Sequence, residues 1–405
     1  MKSYKEYDLL SPLKLTEADQ YVRAEGAAFY DKDENCFVDM NEMRLVLGQG
    51  NKEFEAAMAE AFQGCTSLTG NMTCYKERLY QYFDETTDGY FEAAHLTASG
   101  SEAVECAVRL AKKMTGSTEV FSFWNSIHGR TYLSGSMSGL PKRKKGYGPL
   151  ASGVIHLPYP DCAACKARKV NGECTQECMQ MAEGIYKMAS AQDAAAVIVE
   201  PYQGAEIRIP PVGYLKRLQD WAHEKGMLFI VDEIQTGMGR TGEMYCYQKE
   251  KLEPDILLLG KALGNGMHIA AVLVKERPPE EALPALSGGA GDDPVACAAA
   301  CEVYRQLEQG LLTHIQKAGA CLQTGIRRFR DHARIRECRG IGLVAAIEFY
   351  EEEYCRQVFQ ALKKKGYLVG HTGKILYFKP PYVIMEEQIQ GFLENFAIIT
   401  KELGE

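Results

Sequence analysis

Residues 228–233 read LFIVDE and residues 255–266 read DILLLGKALGNG, two short apolar runs that each end on ionisable groups. Asp232 and Glu233 close the first; Lys261 follows the second directly, with Gly264 and Gly266 just behind. Apolar runs this short, with no polar alternation, predict strands buried on both faces, as in a parallel sheet. The same signature recurs at HLTAS (95–99), EVFSFW (119–124), AAVIVE (195–200) and HIAAVLV (268–274). Between the runs lie amphipathic stretches such as 214–225, where Leu215, Leu218, Trp221 and Ala222 share one helical face. Strand alternating with helix predicts an α/β fold: a mostly parallel sheet with helices on both sides.

Charges at the carboxyl ends of such strands matter, because open α/β sheets bind ligands there. A carboxylate buried at Asp232 needs a cationic partner, since an isolated buried charge is very costly. A protonated pyridine nitrogen would serve, and the pairing would keep it protonated as an electron sink. The plainer reading is an acid facing solvent or capping the next helix. Lys261, on a desolvated strand end, loses its preference for the charged form and becomes a usable nucleophile. Its plainer reading is a surface lysine in a loop.

A third element is LTASGSEAVECAVRLAKK (96–113), a strand, then Ser99, Gly100 and Ser101, then a helix whose Ala103, Cys106, Ala107 and Leu110 share a face. Gly100 admits close approach of backbone to a ligand and Ser101 offers a hydroxyl. The helix N-terminus adds free N–H groups and positive dipole character, which together make a phosphate seat. A strand–turn–helix with a serine N-cap leaves the same trace, so the combination decides. Phosphate seat, acid and lysine, each at a strand end, suit a phosphorylated aldehyde cofactor. Gly237, Gly239 and Gly242 also spell G-x-G-x-x-G. The segment after them, EMYCYQKEKLEP, lacks the small apolar helix face of a dinucleotide site, and no second strand ends in an acid ~20 residues on.

The chain has 405 residues, 46% of them hydrophobic and 25% charged, which excludes a disordered chain and predicts two domains or one with an appendage. A formal net charge of −8 argues against nucleic acid or an anionic membrane as the main partner. The first 20 residues are charged from the start, with no apolar leader, and no apolar run is long enough to span a bilayer, so a cytoplasmic location is expected. After about residue 286 the pattern turns α+β: an alanine-rich helix from Pro294 to Gln309, a second helix, a strand near 343–350, another helix and short strands. The expected division is a large domain at 50–285, with a cysteine-rich insert at 158–180, and a small domain from 1–49 and 286–405.

At these residues the chain resembles the class III aminotransferases, the pyridoxal-phosphate (PLP) fold-type I group that contains ornithine, acetylornithine and 4-aminobutyrate aminotransferases. Matching stretches run from VRAEGAAFYDKDENCFVDM (22–40) through SGSEAVECAVRLAKK, HGRT (128–131), EPYQG (200–204), DEIQTGMGRTG and PDILLLGKALGNG to RGIGL (339–343) and PPYVI (380–384). DEIQTGMGRTG followed by GKALGNG is the most specific of them. The resemblance implies that Lys261 carries PLP as a Schiff base and shuttles the substrate proton, with Asp232 on the pyridine nitrogen and Gln235 at the phenolic oxygen. It implies Gly100 and Ser101 at the phosphate, Ile127 and His128 over the ring face, Glu200 in the cofactor site, and a homodimer with sites at the subunit interface. The reaction implied is amino transfer between an amine or amino acid and a keto acid, with racemisation, decarboxylation and amine elimination as alternatives on the same fold.

The chain departs from the family pattern in four places. Ile127 stands where an aromatic usually stacks on the ring, with Trp124 nearby. In Ser287-Gly-Gly-Ala-Gly-Asp-Asp293-Pro294, Gly289 replaces the threonine that reaches the neighbouring subunit's phosphate, and Asp292 and Asp293 add negative charge; either Ser287 substitutes or the phosphate is held differently. Tyr377 replaces the arginine that clamps the substrate carboxylate. Ala205 replaces the glutamate that gates it, with Glu206 one position along. Loss of both partners together is coherent, because that glutamate alone would be an uncompensated buried charge. It favours a larger, amine-type or differently anchored substrate.

Of 14 cysteines, Cys162, Cys165, Cys174 and Cys178 form C-x2-C-x8-C-x3-C in a polar insert. That spacing suits a structural tetrahedral zinc, with an iron–sulfur cluster, loose thiols or disulfides as the alternatives. Cys297 and Cys301 read as small core residues, and His223, His314 and His332 carry no assigned role.

Overall fold

Each of the six apolar runs forms a strand of one seven-stranded sheet in the computed structural model, which describes residues 21–64, 71–165, 174, 176–286 and 291–404. The strands are β1 (Tyr21–Glu25), β2 (Ala28–Asp31), β3 (Cys36–Asp39), β4 (Ala93–Thr97), β5 (Glu119–Phe123), β6 (Val154–Leu157), β7 (Ala194–Val199), β8 (Leu228–Asp232), β9 (Ile256–Leu259), β10 (Ala270–Val274), β11 (Ile335–Ile341), β12 (Val344–Phe349), β13 (Tyr367–Leu368), β14 (Gly370–Thr372) and β15 (Ile375–Phe378). The large sheet has the order β4-β10-β9-β8-β7-β5-β6. Strands β5 to β9 pair in parallel, and β10 lies antiparallel between β4 and β9. So β4 shares their direction, and the carboxyl ends of β4, β5, β7, β8 and β9 open along one edge.

The central strands lack polar alternation because both of their faces are covered. Val197, Val199, Phe229, Val231, Leu257 and Leu259 pack on one side with Leu215, Leu218 and Trp221 of helix Tyr214–Glu224. Ala196, Ile198, Ile230, Ile256 and Leu258 pack on the other with helix Gly100–Thr115. Each such side chain contributes about 2 kcal/mol when fully buried, so the sheet edge is a stiff platform.

A second, antiparallel sheet has the order β11-β12-β15-β14, with helices Leu312–Arg327, Glu352–Lys364 and Glu386–Glu402 packed about it. The N-terminal strands β1-β2-β3 join the C-terminal part of the chain, since β13 pairs with β3 through Tyr367 and Val38. Among the described residues no helix is long and apolar enough to cross a membrane.

Candidate active site

Asp232, the last residue of β8, is 3% exposed. One of its oxygens, Oδ2, lies 2.7 Å from His128 Nδ1, and the other accepts the backbone N–H of Ile234 at 3.1 Å. An acceptor-only carboxylate fixes the tautomer, so Nδ1 carries the proton it donates. The His128 backbone N–H donates to Ser138 Oγ, which ties down the segment after β5, while His128 Nε2 finds no hydrogen-bond partner among the described residues.

Lys261 follows β9 across Gly260 with a φ of +46°, in the left-handed region. A non-glycine residue there costs of order 1 kcal/mol, which the packed turn sustains. Desolvation is the largest influence on its amine and lowers the pKa; Arg130 and Arg143 push the same way, against the attraction of Asp232 and Glu200. Lysine and carboxylates therefore lie within electrostatic reach of one another at the ends of β7, β8 and β9.

Helix Gly100–Thr115 begins beside them. Ser99 caps it by accepting Glu102 N, and Glu102 reaches back to Ala98 N, which leaves the remaining first-turn N–H groups available to an anion. A Cβ on Gly100 would lie 2.9 Å from Ile234 Cδ1, and one on Gly260 3.3 Å from Ile234 Cγ2. The two glycines thus make room for Ile234 between lysine turn and phosphate seat. Ser101 Oγ accepts Arg130 N at 3.1 Å and draws the HGRT segment onto the helix start.

Glu200, at the end of β7, is buried and accepts Ile127 N and Gly204 N, each at 3.0 Å. Burial raises its pKa, opposed by His128 and reinforced by Asp232. It holds the backbone of two site loops. Gln235 lies over Gly204, where a Cβ would sit 2.0 Å from Gln235 Nε2, and its Oε1 accepts Lys379 Nζ at 3.1 Å. Asp232, His128, Lys261, Glu200, Ile127, Gln235, Gly100 and Ser101 thus gather at one sheet edge. Ser287, with Gly289, lies outside the described residues. Asp292 pairs with Lys76 at 2.6 Å, which neutralises part of the charge added to that loop.

Three further residues belong to this region and escaped the sequence reading. Ile234 sits between the acid and Gln235 in DEIQ, and its signal was adjacency alone. Arg240 is buried and donates to Leu343 O, Pro380 O and Glu42 O, stapling the loop after β8 to both ends of the chain. This accounts for TGMGRTG: Gly239 and Gly242 have φ of +91° and +92°, so the glycines serve a tight turn around Arg240. The third is Lys379, 3% exposed, immediately before Pro380. A lysine next to Pro-Pro gave no pattern to read.

Tyr377 is packed between Gly370, where a Cβ would come within 1.9 Å of the ring, and Lys379 Nζ, 4.5 Å from the ring centroid. Glu206 is committed to Arg208 at 2.7 Å, and Arg208 also meets Asp161 at 2.6 Å.

The zinc expectation is not supported. Among the described residues no three histidines, cysteines or acids come together to hold a metal, and Cys162, Cys165, Cys174 and Cys178 form no disulfide. The four thiols differ in exposure. Cys178 is partly buried against the core in the first turn of helix Glu177–Ala189, and burial pushes its thiol up to about 11, with Cys174 and Cys162 adding to the rise. Cys174 is exposed, while Cys162 lines a cavity with Ile209, Pro211 and Cys338.

PLP fits the residues present. Among the described residues no lysine or arginine hydrogen-bonds to Asp232, so its buried charge can meet a pyridinium; a desolvated lysine lies near, and a helix start offers its N–H groups to a phosphate.

The comparisons agree with this geometry. The family model for Aminotransferase class-III matches residues 16–399. An acetylornithine aminotransferase of Methanothermobacter thermautotrophicus is 32% identical over 384 residues, covering 93% of each chain. An ornithine aminotransferase 2 of Staphylococcus saprophyticus is 30% identical over 388 residues, covering 92% of this chain and 91% of that protein. In structure, a thermostable omega transaminase 6-fold mutant from Pseudomonas jessenii superposes with a TM-score of 0.87 at 25% identity, covering 95% and 92% of the two chains. The fold is that of the fold-type I PLP enzymes. The chain belongs to the class III aminotransferases, and its activity is PLP-dependent amino transfer between amino and keto compounds.

Proposed function

We propose that Lys261 carries the cofactor and moves the substrate proton, and that the amino donor is held without the arginine–glutamate carboxylate clamp. The observation that carries the first part is the meeting of Lys261, Asp232 and the Gly100 helix start at one sheet edge. Bound PLP supplies an electron-withdrawing ring conjugated to the substrate nitrogen, which stabilises negative charge at the adjacent carbon. The protein does the rest. Asp232 keeps a positive charge on the ring nitrogen, and His128 holds that carboxylate in place. The lowered pKa of Lys261 leaves its amine free to accept the proton from the substrate carbon and return it one atom away. Gly100 and Ser101 bind the phosphate, Ile127 and Ile234 exclude water on the ring faces, and Gln235 donates to the phenolic oxygen.

The second part is supported by Tyr377, fixed against Gly370 and Lys379, and by Glu206, spent on Arg208. One phenol cannot replace a bidentate guanidinium. The relatives' names bracket the donor between ornithine-type amino acids and the compounds of an omega transaminase, and this wall favours a donor that needs no carboxylate clamp. A cytoplasmic homodimer is part of the proposal. Trp124, Tyr132 and Tyr147, exposed around the segment after β5, support a covering partner. The division into a 50–285 domain and a 1–49 plus 286–405 domain is supported by the pairing of β3 with β13.

Adding amines and amino acids singly to the loaded protein and following cofactor absorbance tests both parts. Simple amines should discharge the visible band at least as fast as ornithine or 4-aminobutyrate. Efficient turnover of those two clamped substrates alone would remove the second part, and a protein that never takes up the cofactor would remove the first.

A further inference from the structure

Lys379 lies one residue past β15, with its backbone N–H bonded to Met40 O. Its ammonium donates to Gly204 O at 2.8 Å and to Gln235 Oε1 at 3.1 Å, and the face of Tyr377 occupies the remaining side. An ammonium has three donors and no acceptor, so whatever meets it must be an oxygen. That requirement removes the usual freedom of a glutamine amide. The Gln235 carbonyl has to face Lys379, and the NH2 group has to face away. Gly204 completes the mount, because the amide lies flat where any Cβ would be 2.0 Å from Nε2 and 2.6 Å from Oε1. The Gly204 backbone is itself held by Glu200.

We propose that Lys379 is a positioning residue: its ammonium locks the Gln235 amide so that its NH2 group faces the phenolic oxygen of bound PLP and gives it one N–H donor. The inference rests on the reading that Gln235 faces that oxygen. Its consequence concerns the proton shared between the phenolic oxygen and the nitrogen of Lys261. A donor fixed on the oxygen stabilises its negative charge, so that proton is held less tightly. The charged groups facing Lys379 are Lys261, Arg240 and Glu200; burial, with the first two, lowers its own pKa to about 7 while Glu200 opposes, so the ammonium lock is complete below that pH and weakens above it.

The test is the midpoint of the visible absorbance titration of the loaded protein with pH, in wild type, Lys379→Met, Gln235→Leu and the double variant. Lys379→Met should raise the midpoint by about one unit, the size expected from losing a hydrogen bond to a charged acceptor. In the Gln235→Leu background the same change should add almost nothing, and Lys379→Arg, which keeps the donors, should restore the wild-type midpoint. An equal shift from Lys379→Met with and without Gln235 would mean that its charge acts directly, and the positioning role falls. If Gln235→Leu alone leaves the midpoint unmoved, the fault lies instead in the placement of Gln235. Should the methionine variant not fold, a crystal structure of the wild-type holoenzyme decides: Lys379 Nζ beyond about 3.5 Å from Gln235 overturns the proposal.

Discussion

The floor of this site and its outer wall are built on different terms. At the ends of β8 and β9, Asp232 and Lys261 are held by hydrogen bonds, a left-handed turn and glycines that leave no spare volume. Around β15 the wall is Tyr377 and Lys379, where many relatives by the resemblance carry an arginine. The floor has a single solution because its charges are buried and must answer one another and the cofactor. The wall answers only to the substrate, so it can be rebuilt if charge still balances. Here it does: the arginine is gone, no glutamate stands at 205, and Glu206 has found Arg208.

The sharpest way to break the contrast is at the floor. Lys261→Ala should lower turnover by about 10⁴-fold or more, because it removes both the proposed covalent attachment point and the proposed proton carrier. Steady-state rates with the best donor measure it, and a variant keeping a tenth of wild-type turnover would show that the floor has been misassigned. Asp232→Asn comes next, with a loss of about 10²–10³-fold in kcat. On the proposed reading the amide lacks the charge that would hold the ring nitrogen protonated. Near-normal kcat, with only KM raised, would reduce Asp232 to a binding role.

The floor is also the part that was legible in the sequence, and the reason is physical. A buried charge at a strand end is rare enough to be noticed, and β7, β8 and β9 are buried on both faces, so their apolar runs are unmistakable. Gly204 and Glu200 were visible only through the family's EPYQG, since their hydrogen bonds cross from one loop to another. Lys379 was invisible, because its partners lie 144 and 175 residues away. Arg240 hid inside a glycine motif that looked like something else. The cysteine insert is the converse case: its spacing suggests a metal site, and among the described residues no group that could hold a metal is found.

The wall is tested by pH. The folded pKa of Lys379 is depressed, about 7 against an ordinary 10.5. Between those values the unfolded chain binds the proton and the folded chain does not, so stability rises with pH across that window. Below about 7 both states are protonated and the burial penalty is felt in full. Urea unfolding should therefore show wild type gaining several kcal/mol on Lys379→Met between pH 7 and 10. Parallel curves for the two proteins would mean that Lys379 is not desolvated. A smaller effect is expected from Tyr377→Arg, which puts a second cation beside Lys379 with no acid to meet it. It should destabilise by about 2–4 kcal/mol, and adding Ala205→Glu should recover more than half. No recovery would mean that position 205 does not face position 377.

The smallest effect is expected in the insert, and it asks whether a third region belongs to the comparison at all. If the insert were clipped by a metal, its folding energy would depend on the ligands, and a strong chelator or loss of one thiol would cost many kcal/mol. The arrangement of the described cysteines predicts otherwise. Cys174 is exposed, so Cys174→Ser should change the unfolding free energy by less than about 0.5 kcal/mol, and a chelator should leave the thermal midpoint where it was. Cys178→Ser should cost more, about 1 kcal/mol, because it places a hydroxyl where a partly buried thiol packs against the core. That ordering separates the two accounts, since metal ligands would lose alike and core packing penalises only the inner residue.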